Sequence, residues 1–342
     1  MKMNKYYLEN GICVEKLPEN YFGFYILENT EADSAGLKYF YPNDEIFYRL
    51  DEICVRLYDK FQEGIFATDD YYELIDMLPD GIMRAGLDSD NSLSKELYNK
   101  YFSERLYKGI LEESESILKL ECRKYNYAYV YDCQSMVNTL QELILGTQSN
   151  FIGFYKLLCT MEGRNDFCDD YYVLNSDGRM IFGMLYSLII SLYSTFDILT
   201  KIVYELEHLQ SSKNSYIRTK SQKILYGQKN KISINNVEGT VFKKTRSINI
   251  IENLRNELVH NATWEMNPKV FFKHNAGKIV ERCIYIPDFD NEGHLVKFIN
   301  RKRFFSQGKK VNEELPALYF EILDKIRYTI EVILSREYAV NT

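Results

Sequence analysis

The stretch 180–209, MIFGMLYSLIISLYSTFDILTKIVYELEHL, decides how the chain folds. Leu185, Leu188, Leu192, Phe196, Leu199, Val203 and Leu206 recur at spacings of three and four, the stripe of one amphipathic α-helix. No charge interrupts Met180 to Phe196, and Asp197 closes the run. That run falls short of the ~20 apolar residues of a membrane span, so a buried core helix is expected and no membrane partner.

Downstream, a basic helix is expected over 214–227 (Arg218, Lys220, Lys223), then a loop around SINNVEG. A third helix follows from about Ser247 to Ala262, with Ser247 as candidate cap and Ile251, Leu254 and Leu258 on its core face. Pro268 bars its continuation. Residues 269–306 read as a β excursion: KVFFKH, KIVERCIYI and HLVKFI, with an acidic turn DFDNEG. A last helix over 313–337 carries Leu318, Ile322, Ile326, Ile330 and Ile333.

Upstream, the polar stretch EGRNDFCDDYYVLNSDGR (162–179) is the expected boundary, ending in a turn at Ser176-Asp177-Gly178. Residues 1–42 read as short extended pieces, KYYLENGICVEKL, ENYFGFYIL and GLKYFYP. From Asn43 or Asp44 a helix carries Ile46, Leu50, Ile53, Cys54 and Leu57. Further helices are expected near 70–78, 91–122, 134–146 and 150–162, and the absence of Pro between Pro79 and Pro268 permits long ones. The whole is expected to be mainly α. Residues 178–342 form a four-helix bundle with a β insertion at about 269–306 before its last helix, and residues 1–177 an acidic α+β or mostly α domain.

Composition sets outer bounds. The 342 residues are 46% hydrophobic and 27% charged, which excludes bulk disorder. The seven cysteines are scattered without a CxxC pair, and four histidines build no zinc-finger spacing. Reduced, buried thiols in a cytoplasmic protein are expected. The opening MKMNKYYLENGIC has no apolar core of a signal peptide. Neither a G-x-x-x-x-G-K-[ST] loop, a G-x-G-x-x-G after a strand, nor a G-x-S-x-G elbow occurs. Among the other histidines, His208 ends the first bundle helix, and His274 and His294 are expected to be exposed in the β excursion.

The net charge of −7 hides an asymmetry. Residues 179–310 hold 22 Lys+Arg against 11 Asp+Glu, whereas 1–178 hold 17 against 32. A basic segment of this kind points to a polyanion partner, or to two parts of the chain that attract each other; a solvated basic face is the alternative. Lys243, Lys244 and Arg246 precede the third helix, and Arg301, Lys302 and Arg303 end the β excursion. Both runs are candidate RNA-binding patches.

The third helix contains Arg255-Asn256-Glu257-Leu258-Val259-His260. Asn256 and His260 lie one turn apart on one face, while Arg255 stands about 140° from His260 and reaches it only by its length. A guanidinium grips phosphate oxygens with a planar fork, and an imidazole trades protons near neutral pH. A surface Arg and a His satisfying a helix C-terminus would give the same letters.

RNELVH on a bundle helix resembles the R-x4-6-H motif of the HEPN superfamily (higher eukaryotes and prokaryotes nucleotide-binding), with Asn directly after Arg. SLYSTFDILTKIVYELEHL resembles the first helix of those domains. The resemblance covers about 178–342 and implies a HEPN-like helical domain. It implies a metal-independent endoribonuclease without cofactor, acting as a toxin or as a phage-defence, abortive-infection effector. It further implies a homodimer that brings two motifs into one cleft, and a possible antitoxin or sensor protein as partner. Arg255 and His260 would be the catalytic pair, with Asn256 orienting them and Asp197 facing the motif from the first helix. A bridge from Asp197 to Lys201 is the structural alternative. The products would be a 2′,3′-cyclic phosphate and a 5′-OH. Position 262 is Ala, where HEPN toxins silenced by nucleotidylation carry Tyr, which argues against that control. Two other readings stand beside this one. The first is a non-catalytic HEPN-like module binding nucleotide, RNA or a protein. The second makes the acidic N-terminal part a sensor or an inhibitor covering the basic cleft.

Overall fold

In the computed structural model the described residues are 5–7, 13–16, 23–27, 40–42, 44–66, 115–161, 163, 170–209, 232–265, 267–275 and 278–338. Among them the protein is mainly helical. Five α-helices are α1 (Asp44–Glu63), α2 (Glu115–Thr160), α3 (Ser176–Glu207), α4 (Arg246–Asn256) and α5 (Val311–Leu334). The expected helices at 70–78, over 91–114 and at 214–227 lie outside the described residues.

Strands β1 (Lys5–Tyr7), β2 (Cys13–Lys16), β3 (Gly23–Leu27) and β4 (Phe40–Pro42) form an antiparallel meander in chain order. Its register pairs Val14 with Tyr6 and Ile26. A second antiparallel sheet runs β5 (Tyr171–Val173), β6 (Val270–Asn275), β7 (Lys278–Cys283). Here the stretch expected to be a polar boundary supplies a strand, pairing Tyr171 with Phe272 and stacking the two rings at 5.1 Å. HLVKFI forms isolated bridges rather than a strand.

The chain divides into two compact units, each of several segments. The first comprises residues 1–54, 139–199 and 234–333, and the second residues 55–138, 200–233 and 334–342. In the first, the α3 stripe Leu185, Leu188, Leu192, Phe196 and Leu199 is buried, as is the α5 stripe. α2 meets α5 through Phe151 stacked on Tyr319 at 4.5 Å and Thr147 hydrogen-bonded to the Tyr319 hydroxyl. It meets α3 where Gly153 faces Met184 and Asn150 donates to Ser187. Within the second unit, the buried Tyr129 hydroxyl donates to Glu205 at 2.9 Å. His208 bonds the Tyr204 carbonyl and stacks on its ring, the helix-end role expected of it.

Local chemistry corrects several element ends. The helices expected at 134–146 and 150–162 are one continuous helix, α2, which ends at Thr160. Ser176-Asp177-Gly178 is not a turn but the first turn of α3, because the Asn175 side chain accepts from the Gly178 N–H at 2.8 Å. Ser247 does not cap α4. It lies inside the helix, and its hydroxyl donates to Glu321 of α5, so it serves packing rather than capping. His274 is not exposed: both ring nitrogens are buried and the ring stacks on Tyr171 at 5.2 Å, whereas His294 is exposed. Cys54, Cys133 and Cys283 are buried free thiols, and burial pushes Cys54 and Cys283 up to about 12.

α3 is long and apolar enough to cross a membrane by composition alone. Its leucine stripe is nevertheless buried inside the protein, which is how a core helix behaves.

Candidate active site

The site is built on the last turns of α4. From Glu257 to Asn261 the helix widens into a π turn, closed by the Ala262 N–H on the Glu257 carbonyl at 2.9 Å. In a regular α-helix residues five apart are about 140° out of phase. An i→i+5 turn takes up that surplus and brings positions 255 and 260 toward one face. The Arg255 Nη1 donates to His260 Nε2 at 3.0 Å and to Asn256 Oδ1 at 3.0 Å. Because a guanidinium only donates, the contact is a hydrogen bond in the tautomer that leaves the His260 Nε2 lone pair free to accept.

Behind the pair, α3 supplies a platform. The Arg255 guanidinium lies over the Tyr193 ring, 4.9 Å from its centroid. A ring face under a delocalised cation fixes its plane without consuming an N–H. Of the five N–H groups, one nitrogen serves Asn256 and His260; the rest of the fork has no partner among the described residues. Asp197 is one turn beyond Tyr193 on the same helix edge, half-buried. His260 is exposed, and Val259 beside it is 47% exposed.

The π turn also builds the wall of a recess of about 440 Å³, lined by Glu257, Asn261, Asn300, Arg301, Lys302 and Arg303. Glu257 is buried, and its Oε1 accepts from Asn261 at 2.8 Å and from Lys302 at 2.9 Å. This triangle clamps the 301–303 run against the motif helix: Lys302 is held at Glu257, 45 positions away in the chain and three before His260, and Asn261 shares the lining with the run. Arg301 lies over the Phe304 ring at 5.7 Å. Neither Arg301 nor Arg303 has an ion pair among the described residues, so the recess keeps a positive lining.

The other basic run is organised differently. Lys243 pairs with Glu238 at 3.0 Å, and Lys244 pairs with Glu252, so two of its three charges are answered within the chain. Arg246 is exposed and has no ion pair among the described residues. The structure brings Arg255, Asn256 and His260 into contact, and it separates the two basic runs that the sequence left equal. The sequence missed Tyr193, Glu257 and Asn261. Tyr193 carried a signal, since it precedes Asp197 by one turn; the role of Glu257 depends on Lys302, distant in sequence, and Asn261 acts through Glu257 one turn before it.

No family model, curated protein or solved structure matches the chain.

Proposed function

We propose that the protein is an endoribonuclease of the HEPN type that cleaves RNA through Arg255 and His260. The observation that carries this reading is the 3.0 Å contact between the Arg255 Nη1 and the His260 Nε2 at an exposed helix end. Contacts of α3 with α4 and of α4 with α5 support a helical arrangement around the motif, to which α2, from outside 178–342, adds contacts with α3 and α5.

The chemistry follows from the donors present. RNA carries its own nucleophile, the 2′-OH, beside the phosphorus. A phosphate entering between Arg255 and the recess draws the guanidinium N–H groups onto its oxygens. That frees the His260 Nε2 lone pair to take the 2′-OH proton. The 2′ oxygen attacks phosphorus, the bond to the 5′ oxygen breaks, and the leaving oxygen takes a proton from solvent water, giving a 2′,3′-cyclic phosphate and a 5′-OH, after which the imidazolium returns its proton to solvent. Arg255 stabilises the charge that builds on the non-bridging oxygens, and Asn256 holds the guanidinium in register. In the assembled protein a second copy brings a second motif to the same cleft. The cellular role that fits such chemistry is a cytoplasmic toxin or phage-defence effector.

A cleavage assay on defined RNA with EDTA present tests this. The full chain is expected to cut in EDTA, and His260→Ala to slow cleavage by roughly 10²–10⁴-fold, the usual worth of a general base. Arg255→Ala should lower the rate by a comparable factor. Loss of cutting on chelation, or full activity in either variant, rejects the reading.

A further inference from the structure

Beside the recess, the chain turns back at residues 298–301. The Phe298 N–H donates to the Arg301 carbonyl at 2.9 Å and the Arg301 N–H to the Phe298 carbonyl at 3.0 Å, closing a two-residue hairpin. Its central residues, Ile299 and Asn300, have φ of 47° and 64°. Positive φ at both positions defines the type I′ turn, where Asn is favoured. A β-branched residue is an outlier in that region. The turn therefore holds Ile299 against its backbone preference and presents it at 83% exposure, next to Phe298 at 66%. Directly paired residues in an antiparallel ladder project to the same face, so the Phe298 ring and the Arg301 side chain leave the hairpin together.

We infer that this hairpin and the recess behind it are a docking site for single-stranded RNA. Phe298 stacks on an unpaired base, while Arg301 and Arg303 take the phosphates that follow. The inference rests on the nuclease reading and adds the strandedness of the substrate. An aromatic face beside unpaired guanidinia is the combination that reads single strands, because every unpaired base offers a π-face and duplex bases do not. Lys302 contributes less to RNA, since Glu257 already holds it; its part is to fix the run to the motif helix. Asn261 and Asn300, which share the lining, supply neutral polar contacts around the phosphates. The site leads to the chemistry, because Asn261 directly follows His260.

The experiment uses the full chain carrying His260→Ala, so that RNA is bound but not cut. Fluorescence anisotropy compares a labelled, unstructured RNA of about twelve nucleotides, within the usual footprint of such surfaces, with the same strand in a duplex. The single strand is expected to bind at least tenfold tighter. Adding Phe298→Ala should weaken single-strand binding about tenfold and leave the salt dependence unchanged, and Phe298→Trp should restore it. Adding Arg301→Ala with Arg303→Ala should flatten the slope of log K against log salt by about 1.4, two phosphates' worth for a single strand. Equal affinity for duplex, or binding indifferent to Phe298 and to both arginines, overturns the docking site. Should cleavage by the unsubstituted protein still need Arg255 and His260 in that case, the nuclease reading survives without it. RNA binding that depends on Phe298, in a protein that cuts no RNA, removes the nuclease and keeps the docking site.

Discussion

At the scale of single residues, Tyr193 braces Arg255 itself and Asp288 braces the chain that follows the basic run. Tyr193 supports Arg255 from below without taking any of its N–H groups, and a carboxylate there would have spent them. Asp288 works further back and holds the chain where it returns from the basic run. It is 1% exposed, and its carboxylate accepts from the Ser306 N–H at 2.8 Å, the Ser306 hydroxyl at 2.6 Å and the Gln307 N–H at 3.0 Å. Burial alone would raise its carboxyl; the Ser306 and Gln307 donors and the Lys309 charge outweigh burial and hold it below the usual carboxylate range. A carboxyl lowered in the folded state stabilises the fold above the unfolded value of about 3.9 and loses that contribution as pH falls through the folded value. Asp288→Asn sets an amide donor against N–H donors and is expected to cost about 1–3 kcal/mol at pH 7. In urea unfolding the gap between the unsubstituted protein and Asp288→Asn should stay constant from neutral pH to about 5 and close below about 4. A gap that persists at the acidic end would mean that the charge contributes nothing.

At the scale of elements, α5 shows how one defect is repaired from a neighbour. Pro316 lies inside the helix and has no N–H to give the Asn312 carbonyl four residues earlier. The Tyr155 hydroxyl of α2 donates to that carbonyl at 2.9 Å. Tyr155→Phe is therefore expected to cost about 1–2 kcal/mol, and to cost less in a Pro316→Ala background, where the helix can satisfy its own carbonyl. A double-mutant cycle by urea unfolding should give a coupling of about 1 kcal/mol, and simple additivity would assign the hydroxyl no such role. The stripes of α3 and α5 were readable because a 3.6-residue period is written locally. The unity of α2 was not. Gly146, Thr147, Ser149 and Asn150 all weaken a helix in isolation, but Thr147 bonds Tyr319, and Gly153 admits Met184 of α3, so packing carries the helix through. The π turn was equally hidden. Its letters suit an α-helix, and the widened register shows only in the hydrogen bond from Ala262 to Glu257.

At the scale of the molecule, the site joins parts of the chain that no local pattern connects. The letters R-x4-H were visible, but which basic run stands beside them was decided by Glu257 reaching Lys302, a long-range contact with no periodicity. The same holds for the proposed pairing of two chains. Val259, next to His260, and Ile190, three residues before Tyr193, are exposed apolar residues at 47% and 38%, and α3 carries no charge from Met180 to Phe196. A second copy brought against this edge would set the two motifs face to face. Sedimentation should then report a species of twice 40.5 kDa. Mixed assemblies give the sharper reading. Unsubstituted and His260→Ala chains co-folded in equal amounts should retain about a quarter of full cleavage if a pair needs both motifs, because a random closed dimer holds two intact copies that often. Activity at about half would mean that each chain cuts alone, with its own Arg255 and His260, and a monomer in sedimentation would remove the shared cleft altogether.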